Sequence, residues 1–185
     1  MNIAEQEKKM MPNFIAKIML KNHSSSKRLK EEISLIKSGI LKHGDKILDF
    51  ACGPGRLSWE MAKIIGNTGM VYALDIHPLA IKNTEDMIKK NQINNIKTIL
   101  TSESKTGLEN QSIDIVFIFN AIDMIRDKER MITELERVLK PGGSLVIKNK
   151  ISFFLNKNHY RQLFSESLIK FVEEKGKAYY YIKKK

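Results

Sequence analysis

Between residues 46 and 151, short apolar runs bounded by turn residues alternate with stretches whose apolar residues recur at helical spacing. That alternation leaves few folds open. Strands separated by helices cannot close as tight hairpins, so they pair in parallel and bury both faces of their sheet beneath the intervening helices. The runs are Lys46–Phe50, Met70–Asp75, Lys97–Thr101, Ile113–Phe119 and Ser144–Ile151. A helix after the turn at 53–55 carries Leu57, Met61, Ala62 and Ile65 on one face. A second opens at Pro78, a favoured first-turn residue, and extends to Asn91. A third, over 127–139, bears Met131, Leu135 and Val138. The tail departs from this rhythm. After a short helix near 158–164, Leu168–Val172 and Ala178–Ile182 flank Glu174-Lys175-Gly176-Lys177, a spacing that predicts an antiparallel hairpin at the sheet edge, with Tyr179, Tyr180 and Tyr181 as strand formers. The expected fold is α/β: a doubly wound, mainly parallel sheet with helices on both faces and a C-terminal antiparallel hairpin.

Ahead of the first strand, Phe14–Leu20 suits a short helix, and Ser24-Ser25-Ser26 offers caps for a helix carrying Leu29, Ile33, Ile36 and Ile40 on one side. At 185 residues the chain has the size of one domain. We expect a single domain over 1–185, with 1–42 as a helical lid or packing segment and 43–185 as the core. No uncharged apolar run approaches the ~18 residues of a membrane span. The N-terminus MNIAEQEKKMMPNF places charges where a secretory signal places its apolar stretch, so a cytoplasmic location is expected. One cysteine, Cys52, excludes an internal disulfide and a cysteine-rich zinc site, and the four histidines show no metal spacing. The net charge of +11 divides as +4 over 1–45, zero over 46–145 and +7 over 146–185. An excess confined to the termini reads as lysine-rich solvated faces, with a nucleic-acid-binding face and a field for an anionic substrate as the functional alternatives.

The informative segment is Asp49-Phe50-Ala51-Cys52-Gly53-Pro54-Gly55, where the first strand gives way to a helix. Small residues at 51, 53 and 55 let a ligand lie on the backbone, and the helix beyond presents unpaired N–H groups. The second strand ends in Asp75, twenty residues past Gly55, the distance at which nucleoside-binding βαβ units place the carboxylate that accepts from ribose hydroxyls. A dinucleotide-binding oxidoreductase is the nearest rival, because Gly53-Pro54-Gly55-Arg56-Leu57-Ser58 loosely echoes a glycine fingerprint.

Over roughly 40–150 the chain resembles the Rossmann-like S-adenosylmethionine-dependent methyltransferases, in particular the group that includes the ubiquinone and menaquinone biosynthesis methyltransferases. The motifs are ILDFACGPG (47–55), VYALD (71–75), SESKTGLENQSIDIVFIFNAI (102–122) and ERVLKPGGSLVI (136–147). The resemblance implies that Asp49 and the turn backbone at Ala51 and Gly53, closed by Gly55, hold the methionyl end of the cofactor. It implies that Asp75 takes both ribose hydroxyls, Ile76 packs on the adenine and Glu103 accepts from the adenine amino group. Asn120 would stand beside the reactive end, and Asp123 falls where relatives carry a substrate-side polar residue. Ala51 stands where many members have Gly, and Glu103 where the family usually has Asp. No Asn/Asp-Pro-Pro-aromatic signature or Pro-Cys nucleophile marks a nucleic-acid base methylase. A small-molecule acceptor is therefore expected, with an RNA methyltransferase or a non-catalytic nucleoside-binding protein as alternatives. Methyl transfer from a sulfonium releases a neutral leaving group, so alignment carries most of the acceleration and a general base is needed only for a protonated acceptor.

Overall fold

The computed structural model describes residues 27–101, 105–149, 160, 162–175 and 178–184. The Phe14–Leu20 stripe, the serine caps and Glu103 lie outside these residues. The chain divides into two compact units, 1–45 with 52–103, and 46–51 with 104–185.

The first unit contains helix α1 (Lys27–Ile36), helix α2 (Arg56–Ile65), strand β2 (Met70–Asp75), helix α3 (Pro78–Asn91) and strand β3 (Ile96–Leu100). Strands β2 and β3 pair in parallel, Val71 opposite Ile96 through Asp75 opposite Leu100. Helix α2 buries Leu57, Ser58, Met61, Ala62 and Ile65 along one stripe, the face its spacing predicts. Leu57, Met61 and Ile65 each contribute roughly 1.5–3 kcal/mol through area removed from water. Helix α3 starts at Pro78 and is capped by His77, whose Nδ1 accepts from the Leu79 N–H at 3.2 Å. Helix α1 stops at Ile36, so Ile40 falls in the turn beyond it rather than on the helix. Asn95 stitches the far ends together, its buried amide donating to the Ala62 and Gly66 carbonyls, both at 2.9 Å.

In the second unit, strand β1 (Lys46–Phe50) pairs in parallel with β4 (Ile113–Phe119), and β4 pairs in parallel with β5 (Leu139–Lys148). Strand β7 (Ala178–Lys183) pairs antiparallel with both β5 and β6 (Ile169–Lys175). This is the expected architecture, mainly parallel pairing followed by a C-terminal antiparallel hairpin. Except for half-buried Asp114, β4 is buried at every position, as a strand covered on both faces must be. Helix α4 (Lys128–Val138) makes the crossover from β4 to β5 and is capped by Asp127, which accepts from the Arg130 N–H at 2.9 Å. Its far end is held by the Lys183 ammonium, which donates to the Glu136 carbonyl and, at 2.7 Å, to the Leu139 carbonyl.

Strand β5 begins five residues before the predicted Ser144, and Pro141-Gly142-Gly143 explain why. Leu139 pairs with Ile113 and Ser144 with Ile115, so residues 140–143 bulge opposite the single residue Asp114. The Asp114 carboxylate accepts the Lys46 N–H at 2.9 Å and the Lys140 ammonium at 2.6 Å. A second carboxylate fastens the approach to β4. Glu134 accepts the Thr106 N–H at 2.8 Å and its hydroxyl at 2.6 Å, while the Arg137 guanidinium grips Glu134 and donates to the Leu108 carbonyl and the Asn110 side chain, both at 2.7 Å. These charge-assisted bonds hold the Glu134 carboxyl at about 2, well below its ordinary 4.5, with the Arg137 hydrogen bond as the largest cause.

Candidate functional site

In the first unit the glycine turn and Asp75 are built as one piece. The Gly53 N–H donates to Asp75 Oδ2 and the His77 N–H to Oδ1, each at 2.9 Å. The Cys52 N–H meanwhile donates to the Leu74 carbonyl at 2.9 Å, which carries the turn across the end of β2. Asp75 is only 9% exposed. Burial pushes its carboxyl up from the ordinary range, and the His77 and Gly53 N–H groups pull it partly back.

Gly55 and Gly53 do different work. Gly55 has φ 72°, and a Cβ built there would stand 2.6 Å from the Thr84 methyl carbon, so both conformation and space demand glycine. Gly53, at φ 56°, faces open space: a Cβ there meets nothing within 4 Å. Thr84 secures the turn from α3, its hydroxyl directed at the Gly53 carbonyl (3.2 Å) and the Ala80 carbonyl (3.0 Å). Helix α2 starts at Gly55, which offers no side-chain cap. At the C-terminal ends of β2 and β3, Ile76 and Leu100 are about half exposed (51% and 54%).

In the second unit, Asp49 is 2% exposed on β1, paired in register with Phe117. Ala51 and Asn120, the residues that follow β1 and β4, both adopt left-handed backbone, φ 64° and 54°. Asn120 donates its N–H to the Lys148 carbonyl at 2.7 Å. A short 3-10 turn, Ile122–Met124, then presents an exposed Asp123. Its carboxylate accepts from the Asn149 amide at Oδ2 and from the Tyr160 hydroxyl at Oδ1 (3.2 Å), and the same amide donates to the Tyr160 oxygen at 2.8 Å.

The structure thus places Gly53, Gly55, Asp75 and Ile76 together in one unit, and Asp49, Ala51 and Asn120 at the C-terminal ends of β1 and β4 in the other. Three polar residues escape a linear reading: Thr84, Asn149 and Tyr160. Thr84 is an ordinary mid-helix threonine until the fold brings Gly55 against it. Tyr160 has no local signal except a short helical pattern.

These residues suit an adenosyl sulfonium donor. Two backbone donors leave each oxygen of Asp75 with a further lone pair, one for each of two neighbouring ribose hydroxyls. The open face of Gly53 leaves room for a ligand on the backbone, and Ile76 and Leu100 offer apolar surface to a flat base.

A family model described as a methyltransferase domain matches residues 41–184. The ubiquinone/menaquinone biosynthesis C-methyltransferase UbiE of Stutzerimonas stutzeri is 32% identical over 121 residues, covering 65% of this chain and 47% of that protein. The enzyme of the same name from Francisella tularensis subsp. novicida is 29% identical over 121 residues, covering 65% and 48%. The chain spans about half the length of these relatives. Among solved structures, a SAM-dependent methyltransferase from Aquifex aeolicus superposes with TM-score 0.77 at 21% identity, covering 89% of this chain and 97% of that one. An arsenic(III) S-adenosylmethionine methyltransferase from Chlamydomonas reinhardtii superposes with TM-score 0.61 at 20% identity, covering 77% and 64%. With a matching model over residues 41–184, the chain belongs to the methyltransferase-domain family, and its fold is the Rossmann-like one it shares with these solved structures.

Proposed function

We propose that the protein moves the methyl group of S-adenosylmethionine onto a ring carbon of a small hydroxylated aromatic acceptor of the quinol kind. The observation that carries the donor half is the Asp75 carboxylate: buried, tied to the Gly53 N–H, and still holding lone pairs for two hydroxyls. The acceptor half is supported by the relatives named for ubiquinone and menaquinone C-methylation.

In this reading Asp75 takes the ribose hydroxyls and Ile76, with Leu100 beside it, takes the adenine face. Asp49 and the backbone at Ala51, Gly53 and Gly55 take the methionyl end, Glu103 the adenine amino group, and Asn120 the reactive end. Bound there, S-adenosylmethionine supplies a methyl group on a positively charged sulfur that leaves as a neutral thioether. The chain's own task is to align the acceptor, exclude water and receive a proton where the acceptor gives one up. A single domain over 1–185, with 1–42 as a helical lid or packing segment, in a cytoplasmic enzyme, completes the proposal.

Calorimetric titration with S-adenosylmethionine and its demethylated product tests the donor half. Micromolar binding of both is expected, and the absence of binding by either overturns the reading. The +7 excess over 146–185 favours one second reading, an RNA acceptor. Phosphate contacts make binding fall steeply with salt. Activity that stays level from 50 to 200 mM salt, about the range over which such contacts cost several orders of magnitude, removes RNA.

A further inference from the structure

The Asp123 cluster has more organisation than an exposed carboxylate needs. Three elements supply it: the 3-10 turn after β4, the residue after β5, and the segment that leads to the hairpin. The Tyr160 oxygen accepts from Asn149 and donates to Asp123, so both carboxylate oxygens are held from one side by donors that orient each other. Tyr160 is 2% exposed while Asp123 is exposed, so the carboxylate is pinned on its buried side and open on the other. Tyr160 is itself fixed by the hairpin. Its ring packs on Tyr179 at 5.0 Å between centroids, and its backbone carbonyl accepts the Tyr181 hydroxyl at 3.0 Å. The cluster stands beyond the C-terminal ends of the parallel strands β4 and β5, the edge at which open α/β sheets bind their ligands.

We propose that Asp123, oriented by Asn149 and Tyr160, receives the hydroxyl group of the methyl acceptor, and that the tyrosine-bearing hairpin is the device that holds it in place. This rests on the quinol reading above. As a carbon beside a hydroxyl group attacks, positive charge develops on the hydroxyl oxygen and its proton becomes strongly acidic. A carboxylate in hydrogen-bond reach then serves as base although it is far too weak for the resting hydroxyl. The ring carbon gains the methyl group, the sulfur keeps the electron pair of the broken bond, and the hydroxyl proton passes to an Asp123 oxygen. The proton on the methylated carbon is then lost to water while Asp123 returns its own to the oxygen, restoring the aromatic ring with one proton released. Asp123 is the catalytic residue in this scheme; Asn149 and Tyr160 are positioning residues.

The test uses the full chain, with 1,4-naphthalenediol kept reduced as acceptor probe and calorimetry for S-adenosylmethionine affinity. Asp123→Asn is expected to lower kcat by about 100-fold, within the usual range for a lost general base. Asp123→Glu recovers at least a tenth of the original kcat, and Tyr160→Phe loses about 10-fold in kcat with KM nearly unchanged. The dissociation constant for S-adenosylmethionine and the melting temperature of each variant stay near those of the parent. If the parent methylates the diol and Asp123→Asn and Tyr160→Phe match it, the carboxylate role is overturned and the quinol reading stands. Equal losses in Asp123→Asn and Asp123→Glu, or losses that track melting temperature, also overturn it by making the cluster structural. A parent that binds the donor yet leaves the diol unmethylated overturns the quinol reading and this proposal with it.

Discussion

The Asp75 turn and the Asp123 cluster each present a carboxylate held by two donors, but the donors differ in kind. Backbone N–H groups from Gly53 and His77 hold Asp75; side chains from Asn149 and Tyr160 hold Asp123. Backbone donors are placed by φ and ψ and survive side-chain change, so a site built on them suits a ligand that never varies. Side-chain donors are placed by packing and can be re-aimed by a single substitution, which suits the acceptor-facing role proposed for Asp123.

Changes at the two glycines should break this comparison most sharply. Gly55→Ala puts a methyl group 2.6 Å from Thr84 in left-handed backbone, and a loss of about 2–5 kcal/mol in stability is expected, read by denaturant unfolding. Gly53→Ala meets no protein atom, so only the ~1–2 kcal/mol backbone term applies to folding and the larger effect falls on cofactor affinity. Equal damage to folding from both would remove the distinction between a filled and an open face. Next in size, Asp75→Ala removes charge-assisted hydrogen bonds worth roughly 1.5–3 kcal/mol, or about 10- to 150-fold in affinity for S-adenosylmethionine. An unchanged dissociation constant refutes the ribose assignment.

Acid tests the second unit. The folded Glu134 carboxyl titrates at about 2 and the unfolded one near 4.5, so the unfolded chain takes up the proton first. The stabilisation is complete above 4.5 and drains away as pH falls from there to about 2. Because Arg137 is partly in solvent (35% exposed), we expect about 1–2 kcal/mol rather than the full linkage value. Glu134→Gln should flatten that part of the stability profile; an unaltered slope removes Glu134 as its source. The smallest effect is a gain. Ala51 at φ 64° carries a left-handed penalty that glycine avoids, offset by the extra freedom of glycine in the unfolded chain. Ala51→Gly should therefore raise stability by no more than about 1 kcal/mol, and a loss in thermal denaturation would show that the Ala51 methyl group packs usefully.

The same contrast explains what could be read from the sequence. Lys46–Phe50, Met70–Asp75, Pro78–Asn91 and Ile113–Phe119 fall at their predicted residues because local apolar pattern and turn chemistry define each one. Asp75 was legible because a βαβ unit fixes its distance from the glycine turn. The start of β5 was not, because Pro141-Gly142-Gly143 has the composition of a turn and only strand pairing turns it into a bulge. Tyr160 and Asn149 were hidden for a deeper reason. They meet Asp123 across 37 and 26 residues of chain, and their partner is chosen by tertiary packing that no local pattern encodes. The three successive tyrosines at 179–181 read simply as strand formers, although two of them hold Tyr160.

Asp114 lies at the opposite end of the strands from all this chemistry, yet it governs the layout there. By gripping the entry of β1 through the Lys46 N–H and the bulge of β5 through the Lys140 ammonium, it acts as an index pin against which three strands are measured. Slippage of any one by a single residue would turn its inward side chains outward. With register fixed there, Asp49, Asn120 and Asn149 emerge at set heights along the far rim, and their alignment is inherited from a carboxylate at the opposite end of the strands.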